Sequence, residues 1–163
     1  MSKTSKDDEL VFLPLGGSNE IGMNFNLYGF GPPHARKWIV VDLGVTFGDQ
    51  TTPGVEIILP DPSYIEAYAD KILGIVVTHA HEDHIGAVAW LWPRFKAPIY
   101  ATPFTAFVLR EKLREADLLD AVDITEVKVR EESFRLLFDA NPVALLVFDP
   151  DTRAILMLSL IHI

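Results

Sequence analysis

The chain has 163 residues, of which 49% are hydrophobic and 23% charged, with no cysteine and a net charge of −9. It therefore has neither disulfides nor thiolate ligands, and no apolar run approaches the roughly 20 residues of a membrane-spanning helix. The acidic balance argues against a broad nucleic-acid surface, because such affinity comes mainly from Lys and Arg. We expect a cytoplasmic protein without membrane contact, whose residues 1–9 form a disordered polar tail.

Strands dominate the first part of the chain. Glycine and proline turns separate three apolar runs, which predict strands at residues 10–15, 24–30 and 37–42. Gly16 and Gly17 precede neither a lysine nor a helix start, so we predict a tight turn there rather than a phosphate-binding loop.

Helices and strands alternate after residue 60. An Asp-Pro pair and a Thr-Pro pair each combine a helix N-cap with a first-turn proline. The predicted elements are a helix from Asp61 to about Ala69, a strand at 72–77, a helix at 85–92 that Pro93 stops, a strand at 98–101 and a helix from Thr102 to about Leu119.

The aromatic side chains of this region recur at helical spacing. That spacing favours core packing over a base-stacking surface for Phe104, Phe107, Val108 and Leu113. We assign the same packing role to Trp90 and Trp92. The cations Arg94 and Lys96 suit a solvated helix end, where positive charge is favourable to the helix dipole.

Residues 78–84 read Thr-His-Ala-His-Glu-Asp-His and follow the apolar run 72–77 directly. In an extended segment, residues two apart share a face, so His79 and His81 can hold one ion, while Asp83 and His84 can reach a second from the following turn. A lone histidine such as His34 is more often an ordinary core or surface residue. Clustering this many ionisable groups without a cation is costly, and the pattern therefore predicts a metal site.

The donor types indicate which ions and which chemistry to expect. Imidazole nitrogen and carboxylate oxygen are typical zinc ligands, with manganese or magnesium as substitutes where carboxylate and water dominate. Two ions about 3.5 to 4 Å apart can stabilise the attacking and leaving oxygens of a displacement at phosphorus or carbonyl carbon. We predict two divalent ions, zinc by preference, and a hydrolytic reaction.

Four stretches of the sequence resemble a known family. His-x-His-x-Asp-His is similar to the signature of the metallo-β-lactamase superfamily. Three further stretches, LPLGGSNEIGMN at 13–24, VVDLGVTF at 40–47 and APIYATPFTA at 97–106, resemble ribonuclease J within that superfamily. The resemblance covers about residues 10–128.

This resemblance implies a fold and an activity. The fold class is α/β (α+β), with residues 10–128 as a partial metallo-β-lactamase domain, the incomplete N-terminal half of an αββα sandwich. His79, His81, Asp83 and His84 match the first metal-ligand motif of the family. Asp83 is also a candidate catalytic residue, and so is Asp42, which matches an aspartate beside the site. Family members hydrolyse RNA phosphodiesters endonucleolytically and from the 5′ end, so RNA and homo-oligomeric assembly are expected for an intact parent.

The last part of the chain departs from the family pattern. Residues 133–142 and 145–151 resemble the start of a PAS sensor domain, and 158–163 resemble the translation of a sequencing adapter, so His162 is not assigned as a ligand. We predict an unrelated or chimeric tail at 129–163. The alternative is an ordinary helix and hairpin, with Asp149-Pro150-Asp151-Thr152 as the turn.

Three functions remain open from the sequence. The first is a metal-dependent ribonuclease of the ribonuclease J kind, of which this chain would be a truncated, inactive fragment. The second is another hydrolase of the superfamily that acts on thioesters or small phosphodiesters. The third is a chimeric fragment without catalysis. RNA preference over a chromogenic phosphodiester separates the first two, and weak zinc binding supports the third.

Overall fold

A computed structural model describes residues 7–127, 145–148 and 155–159. The chain divides into two compact units, Met1–Val127 and Lys128–Ile163. In the described residues, no helix is long and apolar enough to cross a bilayer.

A six-stranded mixed sheet organises the first unit. Its strands, in spatial order, are β1 (Glu9–Gly16), β2 (Phe25–Gly31), β3 (Lys37–Val41), β6 (Ile72–Val77), β7 (Ile99–Ala101) and β8 (Ile124–Glu126). The first three pair antiparallel, and β3, β6, β7 and β8 run parallel. A separate short pair joins β4 (Thr46–Phe47) to β5 (Ile57–Ile58). The three strands predicted before residue 43 are confirmed, as are those at 72–77 and 98–101.

The helices pack against one face of this sheet. They are α1 (Ser63–Glu66), α2 (Glu82–Ile85), α3 (Val88–Phe95) and α4 (Pro103–Glu115), with 3-10 turns at Ala69–Lys71 and Leu119–Ala121. Side chains alternate along a strand, so β2 turns Phe25 and Leu27 into the core while Tyr28 stays exposed. Ile75 and Ile99 join that core from the parallel strands. The predicted α/β class is therefore confirmed, with helices on one face of a sheet as in half of a sandwich.

The helix predicted to start at Asp61 is shorter than expected. Helix α1 covers only Ser63–Glu66, with Pro62 as its N-cap residue. The Asp61 carboxylate accepts the Ser63 N–H at 2.9 Å and so caps the first residue of this short helix. The chain then passes into a 3-10 turn, and the predicted end at Ala69 was wrong.

Pro93 does not stop the helix that contains it. Helix α3 runs to Phe95 and ends at Lys96, whose left-handed backbone has φ 52°. The missing proline N–H removes only the bond to the carbonyl of Ala89, and Pro93 itself is exposed, so water can serve that carbonyl. Beyond the proline, the N–H of Lys96 donates to the carbonyl of Trp92 at 2.8 Å. The prediction of a single helix at 85–92 was wrong at both ends, because α2 begins at Glu82.

The aromatic packing prediction holds only in part. Trp92 is buried, and its indole N–H donates to the carbonyl of Ala97 at 2.8 Å, whereas Trp90 is 53% exposed. In α4 the buried face consists of Thr105, Ala106, Leu109 and Leu113. That face turns Phe104 and Phe107 toward solvent, where they are 70% and 61% exposed. The helical period was correct, and the face assigned to these two residues was wrong.

Helix α4 begins where the sequence indicates. Thr102 has extended backbone and Pro103 occupies the first turn. The helix ends at Glu115 rather than near Leu119, and Asp117 follows with a left-handed φ of 56°. Arg94, in the last turn of α3, is half exposed and pairs with Glu66 at 3.0 Å, which agrees with a solvated helix end.

The second unit is described only in two strands. These are β9 (Leu145–Phe148) and β10 (Ile155–Ser159), which pair antiparallel with Leu146 opposite Leu158. The rest of the PAS-like and adapter-like stretches, with the predicted turn at 149–152 and His162, lies outside the described residues.

Candidate metal centre

The histidine motif lies where the central strand β6 ends. Thr78 follows β6, and His81, in extended conformation, precedes the first turn of α2. The segment after β3, the parallel neighbour of β6, starts at the same edge of the sheet. Because neighbouring parallel strands bring their carboxyl ends together, residues about 40 positions apart meet here.

The predicted donor side chains lie close together. The rings of His79 and His84 have centroids 3.9 Å apart, and those of His79 and His81 are 4.7 Å apart. The Asp83 carboxylate lies 3.2 Å from Nε2 of His84. His79 and His81 are exposed, and Asp83 and His84 are half-buried, so the cluster is open on one side.

Asp42 holds the inner side of His84. The Asp42 side chain is buried, and its Oδ2 lies 2.8 Å from Nδ1 of His84. A carboxylate only accepts hydrogen bonds, so Nδ1 carries the proton and Nε2 keeps a lone pair, on the side where Asp83 and Asn24 lie. A carboxylate behind a ligating histidine is the usual partner that orients such a ring toward a metal.

Thr78 links Asp42 to a second histidine. The Thr78 N–H donates to Oδ1 of Asp42 at 2.8 Å, and its hydroxyl lies within 3.0 Å of both carboxylate oxygens. With that hydrogen directed to Asp42, the Thr78 oxygen can accept from Nδ1 of His79, 3.0 Å away. In that arrangement Nε2 of His79 also keeps a lone pair.

A backbone clasp fixes the turn that carries Asp83 and His84. On one side, Leu43 and Val45 donate their N–H groups to the carbonyls of His84 and Glu82 at 2.8 and 3.0 Å. On the other side, the N–H of Asn24 donates to the carbonyl of Asp83 at 2.9 Å. We call the segments 23–24, 43–45 and 82–84 the clasp.

Gly44 allows the clasp to close. A Cβ added at Gly44 would lie 1.6 Å from the carbonyl oxygen of Asp83, a separation that no real contact has. Asp42, two residues earlier, has a left-handed φ of 65°, a conformation that Asp tolerates better than most residues. A salt bridge of 2.8 Å between Lys112 and Glu82 ties α4 to the same turn.

Burial and neighbouring imidazoles disfavour the charged form of His79. Partial burial lowers the pKa of His79 from its ordinary value of 6.5, and the nearby His84 and His81 lower it further. Asp42 and Asp83 act in the opposite direction on this pKa but do not outweigh the others. The neutral ring is the form that can coordinate a cation.

The donor set fits a divalent cation, although its atoms are not gathered around one point. In the described ranges, no three His, Asp or Glu side chains are arranged as a finished cation site. The Asp83 carboxylate and Nε2 of His84 both face the amide of Asn24, at 3.3 and 3.2 Å. Imidazole nitrogens with a free lone pair beside a carboxylate are nonetheless the donor chemistry that zinc binds.

The structure brings together every predicted site residue and adds three that the sequence analysis did not assign. Thr78, Asn24 and Gly44 have no ionisable group, so a search for ligands passes over them. Their positions carried a signal all the same, since Thr78 opens the histidine motif and the other two lie in the stretches 13–24 and 40–47.

The chain belongs to the metallo-beta-lactamase superfamily, whose family profile matches residues 29–153. Within that superfamily, it is similar to curated proteins named Ribonuclease J. It is 53% identical to the Ribonuclease J of Sinorhizobium meliloti over 108 residues, which are 66% of this chain and 19% of that protein. With the Ribonuclease J of Mycolicibacterium smegmatis it shares 41% identity over 128 residues, 78% of this chain and 22% of that protein.

The resemblance to ribonuclease J is thus confirmed, and the chain spans about a fifth of the length of the curated relatives it matches. Among solved structures, human tRNase Z, short form, aligns with a TM-score of 0.44 and 16% identity, over 76% of this chain and 47% of that one. The DIM-1 metallo-beta-lactamase aligns with a TM-score of 0.34 and 20% identity, over 81% and 54% of the two chains.

Proposed function

We propose that this chain supplies the first metal-ligand motif of an RNA phosphodiester hydrolase of the ribonuclease J kind. The observation that carries the proposal is the cluster of His79, His81, Asp83 and His84 at the end of β6, with Asp42 behind His84 at 2.8 Å. The identity to several Ribonuclease J proteins supports RNA as the substrate class.

Each side chain has a role in this proposal. Nε2 of His79, Nε2 of His84, the His81 ring and the Asp83 carboxylate would hold the metal. Asp42 is assigned as a positioning residue, since its carboxylate contacts Thr78 and His84 rather than the open side of the cluster. Asp83 remains the candidate to orient the attacking water, because its carboxylate is half-buried beside that open side.

Two divalent ions, zinc by donor chemistry with manganese or magnesium as substitutes, would polarise the phosphodiester and activate water when bound. The net charge of −9 leaves little electrostatic attraction for RNA elsewhere on the chain. The site would therefore contribute locally to substrate binding, and other contacts with the RNA strand would come from outside the site.

Zinc titration tests the proposal at its first step. Calorimetry on the chelator-treated full chain should show zinc binding, and His79→Ala and His84→Ala should each weaken it at least tenfold, because each removes a nitrogen ligand. His34→Ala is the matched control, since His34 is exposed and lies outside the cluster. Equal affinity for all four proteins would contradict the proposal.

A second assay separates the reactions. The zinc-loaded chain is incubated with 5′-labelled RNA and, separately, with bis(p-nitrophenyl) phosphate. Cleavage of RNA without turnover of the chromogenic ester supports the ribonuclease. Turnover of the ester without RNA preference supports another hydrolase of the superfamily, and zinc binding without turnover of either supports a non-catalytic chain.

A further inference from the structure

Asn24 makes several hydrogen-bond contacts with the metal motif, although no role was predicted for it from the sequence. Its main-chain N–H and its side-chain Nδ2 both donate to the carbonyl of Asp83, at 2.9 and 3.0 Å. The same Nδ2 lies 3.3 Å from Oδ2 of Asp83 and 3.2 Å from Nε2 of His84. Asn24 therefore contacts the backbone of the motif and two of its donor atoms at once.

The orientation of this amide follows from its partners. A carbonyl and a carboxylate only accept, so the nitrogen and not the oxygen of the Asn24 side chain faces Asp83. Its two hydrogens serve three acceptors, and the bonds at 3.2 and 3.3 Å are the longer ones. These longer bonds involve the donor atoms proposed to ligate metal, so a bound cation would displace them, whereas the bond to the Asp83 carbonyl is compatible with ligation.

Gly17 makes room for this side chain. A Cβ added at Gly17 would lie 2.5 Å from Oδ1 of Asn24, so the turn after β1 packs closely against the amide oxygen. Gly17 has a left-handed φ of 79°, which glycine adopts without strain. The turn at Gly16 and Gly17 thus limits the movement of Asn24 away from the motif.

We propose that Asn24 is a positioning residue of the candidate metal centre, one that holds the turn carrying Asp83 and His84 in place through the Asp83 carbonyl. This inference rests on the proposed function in naming the cation as the ligand. Asn24 is not assigned as a ligand, because the atom it presents is a donor nitrogen.

Asn24→Leu tests the role, since leucine keeps the volume and removes the donor. Partners that orient metal ligands are typically worth 10- to 100-fold in metal affinity, and we expect a loss of about that size by calorimetry with zinc. The matched control is Asn26→Leu, which changes a half-buried asparagine on the outer face of β2. We expect the control to bind zinc within about twofold of the wild type.

Nuclear magnetic resonance of the metal-free proteins gives a readout that does not depend on zinc. In the wild type, the ¹⁵N shifts of His84 should report a protonated Nδ1 and a hydrogen-bonded Nε2, and the Nε2 shift should change in Asn24→Leu but not in Asn26→Leu. An unchanged His84 spectrum together with unchanged zinc affinity would overturn the proposal. If Asn24→Leu fails to fold, Asn24→Ala replaces it in both measurements.

The two proposals fail in different ways. Absence of zinc binding by the wild type defeats the proposed function, and the metal-free spectra then decide the role of Asn24 alone. Wild-type zinc binding with unaltered binding and spectra in the Asn24 variants defeats only the positioning role.

Discussion

Asp42 concentrates more hydrogen bonds than any other carboxylate near the motif, and it does so from a buried position with a left-handed backbone. Oδ1 and Oδ2 accept from the Thr78 N–H, the Thr78 hydroxyl and Nδ1 of His84. Its buried carboxylate thereby orders two neighbours that themselves face the open side. From the sequence alone, Asp42 is a catalytic candidate; these contacts favour a positioning role.

Asp42→Asn isolates those bonds, because asparagine also tolerates the left-handed backbone. One carboxylate oxygen becomes a donor that faces Thr78 or His84, and a buried donor or acceptor then lacks its partner. We expect the free energy of unfolding to fall by about 1–3 kcal/mol and zinc affinity to fall about 10- to 100-fold. Denaturant unfolding and calorimetry measure the two effects.

The control for this change is Asp120→Asn, which alters an exposed aspartate in a 3-10 turn away from the cluster. It should leave both quantities within error of the wild type. A stable Asp42→Asn protein with full zinc affinity would show that the buried contacts do not orient the motif.

His79 makes the metal-free protein sensitive to acid. Its pKa in the fold lies below the ordinary 6.5, first because its ring is partly buried and then because of the His84 and His81 rings. The unfolded chain therefore binds a proton more readily than the fold does. The resulting stabilisation is complete above pH 6.5 and is lost as the pH falls through the lowered pKa of His79.

Thermal unfolding in the presence of a chelator, followed from pH 8 downward, measures this dependence. The melting temperature should fall as the medium becomes acidic, and His79→Asn should reduce that slope because it removes one of the groups that must charge. His34→Asn, at an exposed position, should keep the wild-type slope. Parallel slopes for wild type and His79→Asn would refute the assignment.

At the scale of elements, the clasp depends on backbone approach rather than on side-chain chemistry. Segment 43–45 lies so close to 82–84 that Gly44 has no room for a methyl group. This approach places the first turn of α2 against the end of β3. The element pair therefore determines where Asp83 and His84 lie relative to Asp42.

Gly44→Ala should open the clasp. The added methyl would collide with the Asp83 carbonyl, and over-packing of this kind typically costs about 1–3 kcal/mol or more. We expect a lower melting temperature and a loss of zinc affinity of at least tenfold. Differential scanning calorimetry and zinc titration check the two results.

Gly54→Ala provides the comparison, since nothing lies within 4 Å of a Cβ added there. Gly54 has a φ of 83°, so alanine should cost only a backbone term of about 1–2 kcal/mol. Zinc binding should be unaffected by this variant. If Gly44→Ala and Gly54→Ala have the same melting temperature and zinc affinity, the close approach at the clasp does not affect zinc binding.

At the scale of the whole first unit, the two faces of the sheet differ in solvent exposure. The helices bury one face, while the opposite face exposes a row of apolar side chains, including Phe12 at 55% and Phe30 at 50%. Phe12 pairs with Tyr28 across the strands, with ring centroids 5.1 Å apart. A contiguous exposed apolar face of this kind promotes association.

The double variant Phe12→Lys with Phe30→Lys should reduce association without loss of the fold, because neither side chain belongs to the buried core. Sedimentation velocity should show fewer large species, and binding of an apolar dye should fall. Phe104→Lys, at a single exposed position on α4, should have a smaller effect on both. Equal association of wild type and double variant would show that this face stays free in solution.

Local sequence patterns predicted the features that depend on neighbouring residues in the chain, namely the main strands and the histidine motif. The strands at 10–15, 24–30, 37–42 and 72–77 were recognisable as short apolar runs bounded by glycine, proline or polar residues. The histidine motif was recognisable because donor residues crowd into a few positions. Helix ends were less predictable: Pro93 lies inside α3 because the core contacts of Trp92 and Phe95 outweigh one missing bond.

By itself, the sequence determined the α/β class, the order of the main strands, the family resemblance and the four candidate ligands. Only the tertiary structure decided which other residues meet those ligands, since Asp42 and Asn24 reach them across 42 and 59 positions. It also decided that Phe104 and Phe107 face solvent, because the packing of α4 selects one of its sides. The helical period of a sequence shows which residues share one side of an element. Which residues lie against that side depends on how distant backbone segments hydrogen-bond and pack.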